Sequence, residues 1–275
     1  MRPLLRLRNV EARYGRFVAL QNVSLVVPEG SVVALLGPNG VGKTTLLRTA
    51  SGMLAPSRGT IEFDGKRIEG RPDHVIAKLG LAHIPEGRGI FPGLSVRENL
   101  AMAGFATADA ERAFGHVFEL FPVLERRLEQ MAGTLSGGEQ QMLSLARAII
   151  TRPRLLMVDE LSLGLAPILV GQLFETLSQI RDAGTTVLLV EQYVRYALRL
   201  ADVCVVLQKG RVAFIGEPSE LAGGAAAAAY LGGTQASAAG SGAAGSNLTG
   251  GATSAARPKR KPAGPRPGTR RSSRP

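Results

Sequence analysis

The chain has 275 residues, 45% apolar and 20% charged, enough for one large domain or two small ones and too apolar for a wholly disordered protein. One cysteine, Cys204, rules out an internal disulfide and fits a reducing compartment, while His74, His83 and His116 are scattered without metal-ligand spacing. The formal charge of +11 belongs mostly to a tail: eight basic residues and no acid lie between 232 and 275, leaving +3 for residues 1–231.

"MRPLLRLRNVEARYG" has no apolar core of a secretory signal, and residues 222–256 are too polar and Gly-rich for a membrane span. Any membrane role is therefore expected to come through a partner. Residues 4–27 contain short alternating runs broken by turn signals, and "GTIEFDGKRIEG" at 59–70 reads alike; both predict antiparallel strands. "VVALL" at 32–36, "LLMV" at 155–158 and "VLLV" at 187–190 are continuously apolar, as parallel strands buried on both faces are. Helical patterns lie between them, which predicts an α/β architecture. From about 95 to 131 the pattern is helical, opened by a capping-box pair, Ser95 and Glu98, and running up to Pro122. After Tyr230 the composition turns to Ala, Gly, Ser and then Pro and Arg, and predicts a disordered tail over 232–275.

Three motifs carry chemistry. "GPNGVGKT", Gly37 to Thr44, matches the phosphate-binding P-loop, with an apolar strand before it and a helical run after it. Its glycines let backbone N–H groups turn toward phosphate oxygens, Lys43 reaches the β- and γ-phosphates, and the Thr44 hydroxyl is a Mg²⁺ ligand. Asp159, ending a separate buried strand, is the second candidate metal ligand. Its neighbour Glu160 is placed to orient and polarise a water for in-line attack on the γ-phosphate. "LSGGEQQ" is the third: Ser136 and Glu139 have capping-box spacing, and the two glycines leave a second helix N-terminus open to an anion. One chain with two phosphate-binding helix ends suggests two copies facing head to tail.

"GPNGVGKTT", "LSGGEQQ" and "LLMVDE", in this order, resemble the ATP-binding subunits of ABC transporters over about residues 4–231. "IPEGRGIFPGLSVRENLAM", "SLGLAP" and "LLVEQ" are further similar to those of branched-chain amino acid importers. The resemblance implies a P-loop NTPase core with an antiparallel β subdomain and a helical subdomain near 88–133. It also implies a sandwich dimer, with itself or a sister subunit, that closes on ATP and Mg²⁺. Tyr14 would stack on adenine. Gly37, Pro38, Asn39, Gly40, Val41, Gly42, Lys43, Thr44 and Thr45 would hold phosphates and metal. Ser136, Gly137 and Gly138 would contact the γ-phosphate across the dimer. Asp159 would serve Mg²⁺, with Glu160 as general base. Glu86 and Gln192 stand where the wider family carries glutamine and histidine near Mg²⁺ and the γ-phosphate. Leu161 stands where proline normally follows the acid pair.

The implied partners are integral-membrane permeases, a second ATP-binding subunit and, indirectly, an extracytoplasmic substrate-binding protein. The implied place is the cytoplasmic face of the cell membrane. Importers of urea, other amides or other amino acids remain open as relatives. The basic tail offers anionic lipid as a contact. A soluble ABC ATPase acting on nucleic acid or ribosomes is disfavoured, because the chain has neither a second ATPase half nor a coiled-coil insertion.

Overall fold

The computed structural model describes residues 2–87, 89–104, 110–191 and 193–222. Gln192 and the tail at 232–275 lie outside them. β1 (Pro3–Tyr14) and β2 (Phe17–Pro28) make a hairpin closed at Gly15 and Arg16, with Gly15 at φ +56°. The short alternating runs are thus two twelve-residue strands. Each takes a residue with positive φ, Asn9 at +50° and Asn22 at +53°, where the register shifts. Asparagine tolerates that conformation better than most side chains. β3 (Val32–Leu36) leads into α1 (Lys43–Ala50); β4 (Arg58–Phe63), β5 (Lys66–Arg67), α2 (Asp73–Lys78) and β6 (Leu81–Ile84) follow.

The helical insert comprises α3 (Val96–Gly104), α4 (Ala110–Leu120) and α5 (Pro122–Glu125). Its first helix is capped as predicted: Ser95 N–H donates to Glu98 Oε2 at 2.7 Å, and Glu98 N–H donates to Ser95 Oγ at 3.2 Å. Pro122 opens α5 at its first turn, where the missing N–H is harmless. A 3₁₀ turn at Ala132–Thr134 precedes α6 (Gly137–Ile149), then come β7 (Leu155–Asp159), α7 (Pro167–Asp182), β8 (Thr186–Val190), α8 (Val194–Leu200), β9 (Val203–Gln208), β10 (Arg211–Gly216) and α9 (Pro218–Ala222).

Two sheets result. The antiparallel one runs β2–β1–β4–β5, the other β10–β9–β3–β8–β7–β6, parallel throughout except for β10. The three continuous apolar runs are its centre, and every residue of β3, β7 and β8 is buried. Alternation along these strands feeds two cores. Leu35, Met157 and Val190 pack on one face with Leu46 and Leu47 of α1 and with the antiparallel sheet. Leu36, Val158 and Leu189 pack on the other with Leu143 of α6, Leu173 of α7 and Leu100 of α3.

Candidate nucleotide site

Strand register sets the site. Leu35 lies beside Val190, Val190 beside Asp159, and Val158 beside Ile84. The segments that follow, at Gly37, Glu191, Glu160 and Glu86, therefore emerge together along the carboxyl edge of the parallel strands, where open α/β sheets bind ligands.

The P-loop backbone needs its glycines for separate reasons. A Cβ on Gly37 (φ +144°) would sit 2.3 Å from Leu207 O, and one on Gly42 (φ +109°) 2.8 Å from Ala19 O. Gly40 (φ +78°) faces open space and serves the turn alone. Pro38, Asn39 and Gly40 form an exposed rim, Val41 and Thr44 are half-buried, and Thr45 is buried. Lys43 is only 4% exposed, and its Nζ donates to Gly37 O at 2.9 Å and Pro38 O at 3.1 Å. Burial lowers the Lys43 pKa, against the opposing pull of Glu160 and Asp159.

Asp159 points to the α1 face and is 1% exposed, yet neither carboxylate oxygen has a hydrogen-bond partner among the described residues. Burial pushes its carboxyl up to about 6; the nearby Thr44 hydroxyl opposes this without reaching good hydrogen-bond geometry, while the charges of Glu160 and Glu86 add to it. A dry, orphaned carboxylate beside a threonine hydroxyl suits a hard divalent cation such as Mg²⁺.

Simple alternation would send Glu160 to the opposite face. It does not go there, because its backbone is left-handed, with φ +49°. Its N–H donates to Val190 O at 2.9 Å, and the turn carries Oε1 to 3.8 Å from Lys43 Nζ. A non-glycine residue held in this region costs on the order of 1 kcal/mol or more, and such strain clusters at functional sites. Both acids thereby face the P-loop lysine.

The ABC transporter family model matches residues 20–162. The chain belongs to the ABC transporter family. This ABC ATPase is 47% identical over 211 residues to the high-affinity branched-chain amino acid transport ATP-binding protein BraG of Pseudomonas aeruginosa, covering 76% of the chain and 91% of BraG. It is 33% identical to BraF of the same bacterium, which carries the same description, over 80% of the chain and 94% of BraF. It superposes with a TM-score of 0.74 on the ADP conformation of MJ1267, an ATP-binding cassette of an ABC transporter, at 26% identity over 84% of the chain and all of MJ1267. No helix among the described residues of this ABC ATPase is long and apolar enough to cross a membrane.

The second helix end is built as its sequence predicts. Ser136 N–H donates to Glu139 Oε2 at 2.9 Å, and Glu139 N–H donates to Ser136 Oγ at 3.4 Å. Ser136 is exposed and Gly137 half-buried, but Gly138 is buried, and a Cβ there would meet Leu169 Cδ1 at 2.7 Å. Gly138 thus lies against the side-chain end of Leu169 on α7. Because α6 belongs to one core and α1 to the other, Ser136–Gly138 and Lys43 lie on opposite sides of the large sheet.

Tyr14 is 44% exposed at the end of the β1–β2 hairpin, whose residues Ala19 and Leu20 abut the P-loop at Gly42. Its cross-strand partner Phe17, 66% exposed, is a second aromatic that sequence reasoning missed. Glu86 is exposed in the turn after β6, close enough for its charge to act on Asp159. Also missed were the conformation of Glu160 and the burial of Glu191 and Ser162 beside it.

Proposed function

We propose that this chain is the ATP-hydrolysing subunit of an importer of branched-chain amino acids, held at the cytoplasmic face of the membrane by its permeases. The observation that carries the substrate class is the 47% identity to BraG across 91% of that protein. A BraF-like sister chain is the partner we assign in a head-to-tail dimer. The placement of α1 and α6 on opposite faces supports that arrangement, since each chain then needs another's Ser136–Gly137 end to close over its nucleotide.

In this reading Tyr14 stacks on adenine. The N–H groups of the P-loop and Lys43 grip the β- and γ-phosphates, while Gly138 contributes its own N–H across the dimer. Asp159 and Thr44, with Glu86, would hold Mg²⁺, which would supply positive charge against the phosphates. Glu160 takes a proton from water as the water oxygen bonds to the γ-phosphorus. The bond to the β-bridging oxygen breaks, and ADP and phosphate leave. Gln192 donates an amide hydrogen bond to the γ-phosphate. We assign the permease to the cavity of about 560 Å³ lined by Met53, His83, Ala103 and Arg147, beside the helical insert.

Purifying the intact complex from native membranes tests this. It should yield permeases and a second ATP-binding chain, and removing this protein should abolish ATP-dependent uptake of leucine, isoleucine and valine. Normal uptake of all three with lost uptake of urea, another amide or another amino acid would reassign the substrate.

A further inference from the structure

Glu191 is 2% exposed and Ser162 is 1% exposed, two polar side chains at the bottom of the site with no part in the chemistry above. They are joined across 29 residues: Ser162 N–H donates to Glu191 Oε1 at 3.1 Å, and the Ser162 hydroxyl donates to Glu191 Oε2. Burying an ionised carboxylate is costly unless its oxygens are bonded, and here each oxygen has a donor from Ser162. The link lies where position matters most. Glu160 N–H is tied to Val190 O at 2.9 Å, and two residues later Ser162 is tied to Glu191, the next residue after Val190. Two bonds to the end of β8 thus straddle Glu160. The turn they enclose is closed further by Leu163 N–H to Glu160 O and Leu165 N–H to Ser162 O, both at 3.2 Å.

We propose that Glu191 is a positioning residue for ATP hydrolysis: by pinning Ser162 it holds the turn after β7 and keeps Glu160 left-handed and aimed at Lys43. The inference rests on Glu160 being the general base. Without Glu191 the turn keeps its anchor at Val190 O but loses the one beyond Glu160, so the left-handed conformer is free to relax to an ordinary one. A displacement of about 1 Å in a catalytic group costs on the order of 100-fold in rate, while ground-state phosphate binding by the P-loop is untouched.

The test is ATP turnover and ATP affinity on the full-length chain. Glu191→Ala should lower kcat by roughly 10- to 100-fold with ATP affinity within about 3-fold. Ser162→Ala, which keeps the backbone bond, should lower kcat by about 3- to 10-fold, and Glu191→Gln, which keeps one acceptor oxygen, should fall between wild type and Glu191→Ala. The double variant Glu191→Ala/Ser162→Ala should be no slower than Glu191→Ala alone, because one link is removed only once. Wild-type kcat in folded Glu191→Ala, additive losses in the double variant, or a loss confined to affinity overturns the proposal. If Glu191→Ala does not fold, Ser162→Ala and Glu191→Gln decide, and wild-type kcat in both overturns it. Glu160→Gln runs alongside: turnover at the wild-type rate in that variant sinks the general-base reading instead.

Discussion

The two edges of the parallel sheet are finished differently. At the edge where the strands begin, polar groups are matched. Val32 N–H donates to Asp202 Oδ2 at 2.8 Å, Gly30 N–H donates to Thr186 Oγ1 at 2.9 Å, and Arg154 bridges Asp64 at 2.7 Å and Glu29 at 2.6 Å. At the edge where they end, Asp159 is buried without a hydrogen bond among the described residues, Lys43 is buried, and Glu160 is held left-handed. One edge is optimised for the fold and the other for a charged ligand, which is the division expected when stability is given up locally for chemistry. Substitutions at the two edges should therefore move stability and turnover in opposite patterns.

Asp159→Asn gives the largest contrast. Turnover should fall by at least about 100-fold if Asp159 holds the metal as proposed, while the nucleotide-free protein becomes more stable. The pH dependence follows from the raised carboxyl. With a free-chain value of 3.8 and a folded value of about 6, the folded state holds this proton over an interval in which the unfolded chain has released it. Stability from this group is therefore lost as pH rises from about 4 to 6, and the penalty is complete above that, up to about 3 kcal/mol. Melting the nucleotide-free wild type and Asp159→Asn at pH 5 and pH 7.5 checks this: the variant should gain more at pH 7.5. An equal change at both values would contradict it.

At the other edge, Arg154→Ala should lower stability by about 1 kcal/mol through its partly exposed ion pairs and leave kcat within about 2-fold. A large loss of turnover would break the contrast. Leu161→Pro should have a small functional effect as well. Leu161 is 2% exposed in the core shared with α6 and α7, so deleting part of that packing should cost about 1–2 kcal/mol in a denaturation curve. Turnover should stay within a few-fold, because both ties that flank the turn, Glu160 N–H to Val190 O and Ser162 to Glu191, are made by residues other than 161. A marked rise in turnover would show that leucine slows this ATPase.

Much of this was legible in the sequence. The central strands announced themselves as continuous apolar runs, and both capping boxes formed as spaced. β6 did not, because "LAHI" is four residues with a histidine at its centre. β10 alternates exposed and half-buried residues, as an antiparallel edge does, and is invisible to a search for continuous runs. "VDE" showed two acids but not that the second turns back to face Lys43, since a glutamate carries no signal for positive φ. Nor did Glu191 stand out, because its partner Ser162 is 29 residues away and only the pairing of β7 with β8 brings them together. Gly138 shows the converse: a glycine expected at a phosphate lies against α7, where a Cβ would have to push the end of the Leu169 side chain aside.

Glu160→Gln tests the central claim most directly, that the carboxyl edge is a hydrolytic site with Glu160 as its base. Single-turnover assays and sedimentation with Mg²⁺ and ATP should show hydrolysis reduced by roughly 100- to 1,000-fold, ATP retained, and a stable ATP-bound dimer. Hydrolysis near the wild-type rate, with no retained nucleotide, would contradict it.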